Sequence, residues 1–453
     1  MDLERGEDMQ ALEQLQRDVL EAEARLEPVR VGGVITEVGP SAYRVAGLSR
    51  HLKLGDVVAI AGVDRTSPGE VVRIDVSGVT VKSFDAKVDA GVGHLAFRSR
   101  PMRLKPHRSW KGRVVNALGA PVDGQGPLTE GPRSVPIDAE PPAAMRRDRV
   151  KQPLKSGIRI IDFFTPLCAG QRIGVFAGSG VGKSTLLAML ASSPGFDSVV
   201  IALVGERGRE VREFLDEALG DNRKLAITVV STGDESAMMR RLAPKTAMAI
   251  AEYLRDQGES VLLIVDSITR FAHAARDVAL AAGEPAVARG YAPSVFSELP
   301  KLLERAGPGE SGGGSITGIF SVLVDGDDHN DPVADNIRGT LDGHIVLDRA
   351  IADQGRYPAV NVLSSVSRLA HHVWSKEQRA LVMKLRAMIA RFESSRDLRL
   401  MGGYHAGSDP VMDQAVSFVP KIYEAMNQSL GDKPSVDAFR ELANALQGDK
   451  ASS

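Results

Sequence analysis

The 453-residue sequence has a single cysteine, few aromatic residues (5%) and a formal net charge of only −2. One cysteine, Cys168, excludes an internal disulfide and a cysteine-based zinc site, and its apolar neighbours indicate a buried thiol. The small net charge argues against recruitment of nucleic acid by a global field. No apolar run approaches the roughly 20 residues that span a bilayer, and the acidic N-terminus lacks the apolar core of a signal peptide. We therefore expect a cytosolic protein that is peripheral to a membrane only through its partners.

The length predicts several domains rather than one compact core. Residues 1–28 have leucine and valine near helical spacing, which predicts an amphipathic helix that either packs on its own domain or docks a partner. Residues 29–97 contain short β-branched runs between glycine and proline turns and predict a small β-barrel. Residues 98–370 begin as a proline-rich link and then alternate strands with helices, which predicts an α/β domain with a doubly wound parallel sheet. Residues 371–453 predict a helical C-terminal domain.

Two local expectations belong to these domains. The segment 360–363, in which three of the four residues are apolar, predicts a further strand of the parallel sheet. Ser435 precedes a helical pattern over 436–446 and is a plausible N-cap, because serine accepts hydrogen bonds from the first free N–H groups of a helix.

The strongest motif is a phosphate-binding loop at 177–185, placed between an apolar strand-like run and a helical run. Glycines let backbone N–H groups turn towards phosphate oxygens, and the next helix points its positive end at the same anion. A tight turn without a ligand has no need of a Lys-Ser pair at this spacing. We predict that Lys183 reaches the β- and γ-phosphates of ATP and that Ser184 gives its hydroxyl to Mg²⁺. The predicted nucleotide-binding residues of the loop are Gly178, Ser179, Gly180, Val181, Gly182, Lys183, Ser184 and Thr185.

Two acidic residues end predicted strands beside this loop. Asp266 ends the run 261–265 and is the expected Walker B acid, with a helix N-cap as the alternative. Glu206 ends the run 199–204, at the carboxyl edge of the sheet where ligands of open α/β sheets bind. A carboxylate there accepts a hydrogen bond from a water molecule and aims it at the γ-phosphate; the alternative is a surface acid.

An arginine and a tyrosine flank the run 360–363. Arg368 is a candidate for neutralising charge on the transferred phosphoryl group, an effect of roughly 10³–10⁵ in rate, with a surface salt bridge as the alternative. If Arg368 reaches a neighbour's nucleotide, the enzyme is a ring. Tyr357 is a candidate for stacking on adenine, with a core tyrosine as the alternative.

These motifs resemble the ring ATPases related to the catalytic subunit of F-type ATP synthase and, more narrowly, the ATPases of type III protein export. The resemblance covers about residues 30–440 and rests on the segments 177–185, 205–210, 265–271 and 357–368. Two further segments, 289–307 and 326–335, are typical of the export branch. Within that branch, the segment 336–347 is more similar to flagellar members, because injectisome members more often carry serine where this chain has Gly339.

The resemblance implies ATP hydrolysis by a homohexamer, in which Lys183 and Ser184 bind phosphate and Mg²⁺. It assigns catalytic and binding roles to further positions: Glu206 as the water-orienting carboxylate, Arg207 as its assistant, Asp266 as the Walker B acid, Arg270 as a phosphate-side arginine, Arg368 as the finger offered to the neighbouring subunit, and Tyr357 as the adenine platform.

The resemblance also implies partners. These are further copies of the chain, a stator-like regulator on the N-terminal helix, a central stalk protein, export-gate membrane proteins, and export substrates with their chaperones. We therefore expect a cytoplasmic ATPase at the inner face of the membrane that energises flagellar export through chaperone release and substrate entry at the gate.

Four alternatives remain beside this expectation. The first is the same enzyme in a virulence injectisome, and the second is a proton-coupled ATP synthase subunit, which the segment 299–307 disfavours. The third is an RNA-translocating hexamer, which the small charge and the aromatic-poor barrel disfavour. The fourth is a silent ring subunit, which has no need of Glu206.

Overall fold

The computed structural model describes residues 15–16, 29–39, 42–87, 89–310, 312–324 and 331–447. The chain divides into two compact units, with the boundary between Pro101 and Met102. Apart from Leu15 and Gln16, which are helical, the predicted N-terminal helix over 1–28 lies outside the described residues. Among the described helices, none combines the length and apolarity needed to cross a bilayer.

The first unit contains a closed six-stranded barrel, as predicted. Its strands are β1 (Gly32–Val38), β2 (Tyr43–Ala46), β3 (Val57–Ala61), β4 (Thr66–Asp75), β5 (Gly78–Ser83) and β6 (Leu95–Arg98). Neighbouring strands pair antiparallel in the order β1-β2-β5-β4-β3-β6. Ile35, Val45 and Val81 are fully buried, because every second side chain of a barrel strand points inward. Register shifts in β1 and β4 mark irregularities that bend the strands.

The second unit is organised around a nine-stranded, mainly parallel sheet. In chain order, the strands of the second unit are β7 (Arg103–Leu104), β8 (Val114–Asn116), β9 (Val135–Pro136), β10 (Pro153–Leu154), β11 (Leu167–Cys168), β12 (Arg172–Ala177), β13 (Ser198–Val204), β14 (Ala226–Ser231), β15 (Ser260–Asp266), β16 (Gly307–Pro308), β17 (Ser315–Leu323), β18 (Gly343–Val346) and β19 (Val366–Ser367). Four of them lie outside the large sheet and form two small two-stranded sheets, β7 with β9 and β10 with β11. The sheet order is β19-β18-β12-β17-β15-β13-β14-β8, with β16 paired to β17.

Helices cover this sheet and then follow it. In chain order they are α1 (Arg159–Phe164), α2 (Lys183–Ala191), α3 (Gly208–Glu213), α4 (Ala237–Arg255), α5 (Ile268–Ala281), α6 (Pro293–Glu304), α7 (Pro332–Thr340), α8 (Arg349–Ala352), α9 (Ala370–Val373), α10 (Lys376–Ser394), α11 (Arg396–Leu400), α12 (Pro410–Met426) and α13 (Ala438–Gln447). A π-helical turn, Phe214–Ala218, continues α3, and short 3₁₀ turns occupy Arg108–Trp110, Gly220–Leu225 and Ala288–Gly290. The predicted α/β class with a helical C-terminal part is confirmed, while the boundaries between the four predicted segments stay a prediction.

The central strands of the sheet are buried on both faces. Every residue of β13 is buried, and Val200, Ile201 and Ile264 are fully inaccessible. Helices on the two faces of a parallel sheet remove both faces from water, and this explains why these strands are continuous apolar runs in the sequence. Because β12, β13, β15, β17 and β18 are parallel, their carboxyl ends lie at one edge of the sheet.

Two local expectations were wrong. Residues 360–363 are not a strand: Val360 forms only an isolated bridge with Leu347, and Asn361 Oδ1 accepts the N–H groups of the next turn, since an asparagine side chain competes with the strand ladder. The cap of α13 is Asp437, whose Oδ1 accepts from the N–H groups of Phe439 and Arg440. Ser435 instead donates its hydroxyl to Glu441.

A buried ion pair fixes the end of α6 against α4. Arg305 is only 2% exposed, and its Nε and Nη2 donate to the two carboxylate oxygens of Glu252 at 3.0 and 2.8 Å. Its third nitrogen donates to the Ile137 carbonyl at 3.0 Å. A bidentate pair in which each guanidinium nitrogen is hydrogen-bonded tolerates burial, whereas one partner alone does not.

Replacing Glu252 with alanine is expected to lower the free energy of unfolding by about 3 kcal/mol, because the buried Arg305 guanidinium loses its bidentate partner and keeps only Asp138, at 4.0 Å, as a counter-ion. Urea unfolding followed by circular dichroism measures this loss. Glu424→Ala, at an exposed position of α12, is the matched control and should change stability by less than about 0.5 kcal/mol. Equal effects of the two substitutions would contradict the role given to the buried pair.

Candidate active site

The phosphate loop leaves the carboxyl end of β12 and runs into α2 as predicted. Gly180 and Gly182 have φ angles of 78° and 87°, a left-handed backbone that glycine adopts without strain. Gly182 is the N-cap residue of α2, and Lys183 is the first helical residue. Free N–H groups and the positive end of the helix dipole therefore point at the space where an anion binds.

Three predicted residues meet beside this loop. Lys183 Nζ forms an ion pair with Asp266 Oδ1 and lies 3.8 Å from Glu206 Oε1. Asp266 ends β15 and Glu206 follows β13, so both carboxylates come from the carboxyl edge of the sheet. Their side chains are only 5% and 17% exposed. One ammonium thus balances two carboxylates in a nearly dry site, where electrostatic interactions are strong.

Burial raises the pKa of the Glu206 carboxyl above its ordinary value, because desolvation disfavours the charged form. The negative charge of Asp266 acts in the same direction, while the positive charges of Lys183 and Arg270 oppose it. Glu206 Oε1 is buried and has no hydrogen-bond donor among the described residues. A buried acceptor without a donor is a place for a water molecule or a ligand group.

Arg270 packs against Gly205, the residue that precedes Glu206 in the chain. Its side-chain carbons are 3.3 Å from the position that a Cβ on Gly205 would occupy, so the residue before Glu206 must be small. The Nε of Arg270 is buried and, like Glu206 Oε1, lacks a hydrogen-bond partner in the described chain. The structure therefore places Arg270 beside Glu206, and its role near the phosphates stays a prediction.

A cavity of about 430 Å³ opens beside the loop and is lined by Ser184, Thr185, Glu206, Glu210 and Asp266, among others. Ser184 is exposed at the start of α2, so its hydroxyl is accessible. A hydroxyl and a carboxylate facing one space are oxygen ligands of the kind that Mg²⁺ prefers. Ser184 and Asp266 therefore fit the predicted metal position.

Tyr357 lies against the loop from the other side. A Cβ on Gly182 would be 3.5 Å from Cδ1 and Cε1 of the Tyr357 ring, and the tyrosine is 44% exposed. Asn427 Oδ1 accepts the Tyr357 N–H at 2.7 Å, and the Gln428 N–H donates to the Tyr357 carbonyl at 2.8 Å. The end of α12 thus positions the predicted adenine platform, a contact between distant segments for which the sequence carries no signal.

Two predicted residues lie away from this cluster. The Arg207 side chain is 86% exposed, with Glu210 Oε1 at 3.5 Å. Arg368 follows β19, and its N–H donates to the Asp342 carbonyl at the amino end of β18. Asp342 in turn accepts from the N–H of Arg172, the first residue of β12. The six residues of β12 separate that level from the phosphate loop by about 20 Å.

One contact to the loop was not predicted. Arg349 Nη2 donates to the Ser179 carbonyl at 3.0 Å. Arg349 stands shortly after β18, the neighbour of β12 in the sheet. The rule that drew attention to Glu206 and Asp266, a charged residue at the carboxyl end of a strand, would also have selected Arg349.

Nucleotide hydrolysis is the chemistry that uses all of these groups at once, and fold and site together place the protein among the P-loop ATPases. Residues 157–367 match the nucleotide-binding domain of the ATP synthase alpha/beta family, and residues 374–444 match the T3SS EscN ATPase C-terminal domain. The flagellum-specific ATP synthase of Rhizobium meliloti (strain 1021) is 55% identical over 92% of this chain and 89% of its own length. The chain belongs to the ATP synthase alpha/beta family, in its branch of type III export ATPases.

Another relative and a solved structure extend this result. The type 3 secretion system ATPase of Xanthomonas euvesicatoria is 40% identical over 92% of this chain and 94% of its own length. The assembled ATPase EscN from the type III secretion system of enteropathogenic E. coli has a TM-score of 0.85 at 38% identity, covering 92% of this chain and 99% of that chain. EscN is also solved in complex with its central stalk EscO, with a TM-score of 0.82. The expected fold, ATP hydrolysis and export class are confirmed, and flagellar and injectisome proteins both occur among the relatives.

Substituting Glu206 with glutamine is expected to raise the unfolding temperature at about pH 8 by roughly 2 °C, because the amide removes the cost of burying a charge. The raised pKa fixes the sign of the pH dependence: below it the wild-type carboxyl is protonated and costs nothing, so the gain should disappear as the pH falls. Thermal unfolding at several pH values between about 8 and 4 measures the difference.

Glu424→Gln, at an exposed position of α12, is the control for the loss of one negative charge. A Glu206→Gln protein that is less stable than the wild type at the higher pH would show that the ionised carboxylate stabilises the fold, contrary to this expectation.

Proposed function

We propose that this protein is the ATPase of flagellar protein export, which hydrolyses ATP with Mg²⁺ at the cytoplasmic face of the membrane to release export substrates from chaperones and admit them at the export gate. The observation that carries the proposal is the 55% identity to a flagellum-specific ATP synthase, together with the meeting of Lys183, Glu206 and Asp266. The glycine at position 339, which distinguishes flagellar from injectisome members in the sequence, adds no physical support for the flagellar assignment. A Cβ there would meet open space, so a serine would fit equally well.

In the proposed mechanism, the N–H groups of residues 178–185 and the Lys183 ammonium bind the phosphates of ATP. Ser184 and Asp266 would hold Mg²⁺, which when bound neutralises charge on the β- and γ-phosphate oxygens. Tyr357 stacks on the adenine ring, and its exposed ring beside Gly182 supports this role. Lys183, already beside Asp266 in this site, turns to the phosphate oxygens when the nucleotide enters.

Glu206 orients the attacking water. Its Oε1, which accepts no hydrogen bond from the described part of the chain, accepts one from that water, and its raised pKa makes it a better proton acceptor than an exposed glutamate. Arg270 balances the negative charge beneath the site. The proposed assistance of Glu206 by Arg207 rests only on their adjacent positions in the chain, because the Arg207 side chain points to solvent. Glu206→Gln should therefore bind ATP without hydrolysing it.

Arg368 is proposed to complete the site of a neighbouring subunit. It lies at the amino end of the parallel strands, whereas the phosphate loop lies at the carboxyl end. Arg368 is exposed beside the edge strand β19, where its Nη2 donates to the Arg338 carbonyl at 3.5 Å, so its guanidinium is accessible to a neighbouring subunit. In the proposed homohexameric ring, the amino ends of the strands of one subunit would face the carboxyl ends of the strands of the next subunit. This arrangement would bring Arg368 to the γ-phosphate in the neighbouring site.

Replacing Arg368 with alanine is expected to reduce ATP turnover by about 10³-fold, because charge developing on the phosphoryl group loses its counter-charge. Mixing this variant with Lys183→Ala, which is also inactive, should restore turnover, since a Lys183→Ala subunit still offers Arg368 to the intact loop beside it. Steady-state phosphate release by mixtures in varying ratio measures the effect.

The control mixture contains Lys183→Ala and Glu206→Gln, two variants that each lack a group of the same loop-side site. It should stay inactive at every ratio. Arg368→Ala mixtures that behave like this control would place Arg368 in its own subunit's site or outside the reaction.

The observations that support the proposed partners differ from one partner to another. The central stalk rests on the likeness to EscN, which is solved with its stalk EscO. The stator-like regulator, the export gate, the substrates and the chaperones rest on the family resemblance alone. Among the described residues of the barrel unit, Tyr43 and Phe84 are buried and Phe97 is half-buried beneath Arg30, so few aromatic rings are available to stack on bases. The absence of a nucleic-acid partner stays a prediction.

Deleting the gene is expected to abolish swimming motility and flagellar-subunit secretion, because export would lose its ATPase. Wild-type protein should rescue both, and Lys183→Ala should rescue neither, since it lacks the phosphate-binding ammonium. Swimming in soft agar and immunoblots of secreted flagellar subunits measure the two outcomes at matched protein levels.

Undiminished motility in the deletion strain would contradict the flagellar assignment and leave ATP hydrolysis intact. The injectisome would then take its place, a second candidate that the 40% identity to a type 3 secretion system ATPase supports.

A further inference from the structure

Arg349 reaches the phosphate loop from outside the known motifs. Its Nη2 donates to the Ser179 carbonyl at 3.0 Å, near the apex of the loop. Arg349 is the first residue of α8, and Asp348 caps that helix through a 2.8 Å hydrogen bond from the Ala350 N–H. The arginine therefore starts from a fixed backbone.

The contact with the Ser179 carbonyl also fixes the direction of the Gly180 N–H, because both groups belong to one planar peptide bond. The Ser179–Gly180 peptide is trans, so its carbonyl and its N–H point in opposite directions. A guanidinium that holds the Ser179 oxygen towards α8 aims the Gly180 N–H away from α8. Gly180 has a φ of 78° and open space where a Cβ would stand, so its peptide would rotate readily if nothing held it.

The segment that carries Arg349 is itself braced. The Asp348 N–H donates to the Ala359 carbonyl at 2.9 Å, and Asn361 Nδ2 donates to Asp348 Oδ2 at 3.0 Å. These bonds close a loop over residues 348–361. Tyr357 belongs to that loop and lies against Gly182. The same segment thus contacts the phosphate loop at Ser179 and again at Gly182.

We propose that Arg349 is a positioning residue that holds the phosphate loop in its anion-accepting shape before ATP arrives. It does so by fixing the Ser179 carbonyl outward, which leaves the Gly180 N–H directed at the phosphates. A charged donor makes this hydrogen bond about twice as strong as a neutral one. The proposal rests on the proposed function of residues 178–185 as the phosphate site.

The test is Arg349→Met, which keeps the length of the side chain and removes its donors. The dissociation constants of fluorescent N-methylanthraniloyl ATP and ADP should both rise about tenfold, since the loop contacts phosphates that the two nucleotides share. The KM for ATP should rise by the same factor while kcat stays within about twofold, because the loop binds the ground state and the transition state alike.

Arg349→Lys keeps one charged donor, so the dissociation constants of both nucleotides should rise by only about threefold. This variant tests the role of Arg349 if the methionine variant does not fold. Arg379→Met, at an exposed position of α10, is the matched control and should leave both constants unchanged. A selective loss of ATP affinity would overturn the positioning role in favour of a direct γ-phosphate contact.

Lys183→Ala separates this inference from the function on which it rests. If Lys183→Ala abolishes nucleotide binding and Arg349→Met does not change it, the phosphate loop stands and the role of Arg349 falls. If Lys183→Ala binds both nucleotides normally, residues 178–185 are not the phosphate site, and the proposed function fails first.

Discussion

The ammonium of Lys183 between two carboxylates is the interaction on which the site depends. Asp266 and Glu206 reach it from β15 and β13 only because parallel strands end at a common edge. Without the ammonium, two acids would face each other in a nearly dry space at a cost of several kcal/mol. Without the acids, the lysine would be a buried charge with no counter-ion. The apolar sheet and the charged cluster therefore constrain each other, since the sheet fixes the distances and the cluster makes the burial tolerable.

The sequence predicted most of this arrangement, because the signals were local. The loop, the apolar runs of β13 and β15 and the acids at their ends are each contained in a few residues, and the carboxyl-edge rule brings them together. The β-barrel was predicted for the same reason, from short β-branched runs between turns. Tyr357 could be named but not placed, because its backbone is held by Asn427 and Gln428, about 70 residues further along the chain.

The errors also have physical causes. Three of the four residues 360–363 are apolar, yet the fourth, Asn361, accepts with its side chain the N–H groups of Leu363 and Ser364. The cap of α13 differs from the prediction because serine and aspartate compete for the same role two residues apart. Arg349 was missed because no motif names it, although its position at the end of β18 follows the rule that selected the acids. Strand order and burial, which decide such cases, come from contacts between segments far apart in the sequence.

The polarity of the sheet also bears on how one site is linked to the next. The segment 348–368 begins with Arg349 against the phosphate loop, continues with Tyr357 beside Gly182, and ends with Arg368 at the opposite edge. In the proposed ring, one stretch of chain would thus contact the nucleotide of its own subunit at one end and that of a neighbour at the other. Hydrogen bonds from Asn361 to Asp348 and from Tyr357 to Asn427 hold the first two thirds of this segment. The segment is therefore a continuous covalent connection between the contacts to one phosphate loop and the arginine proposed for the next site.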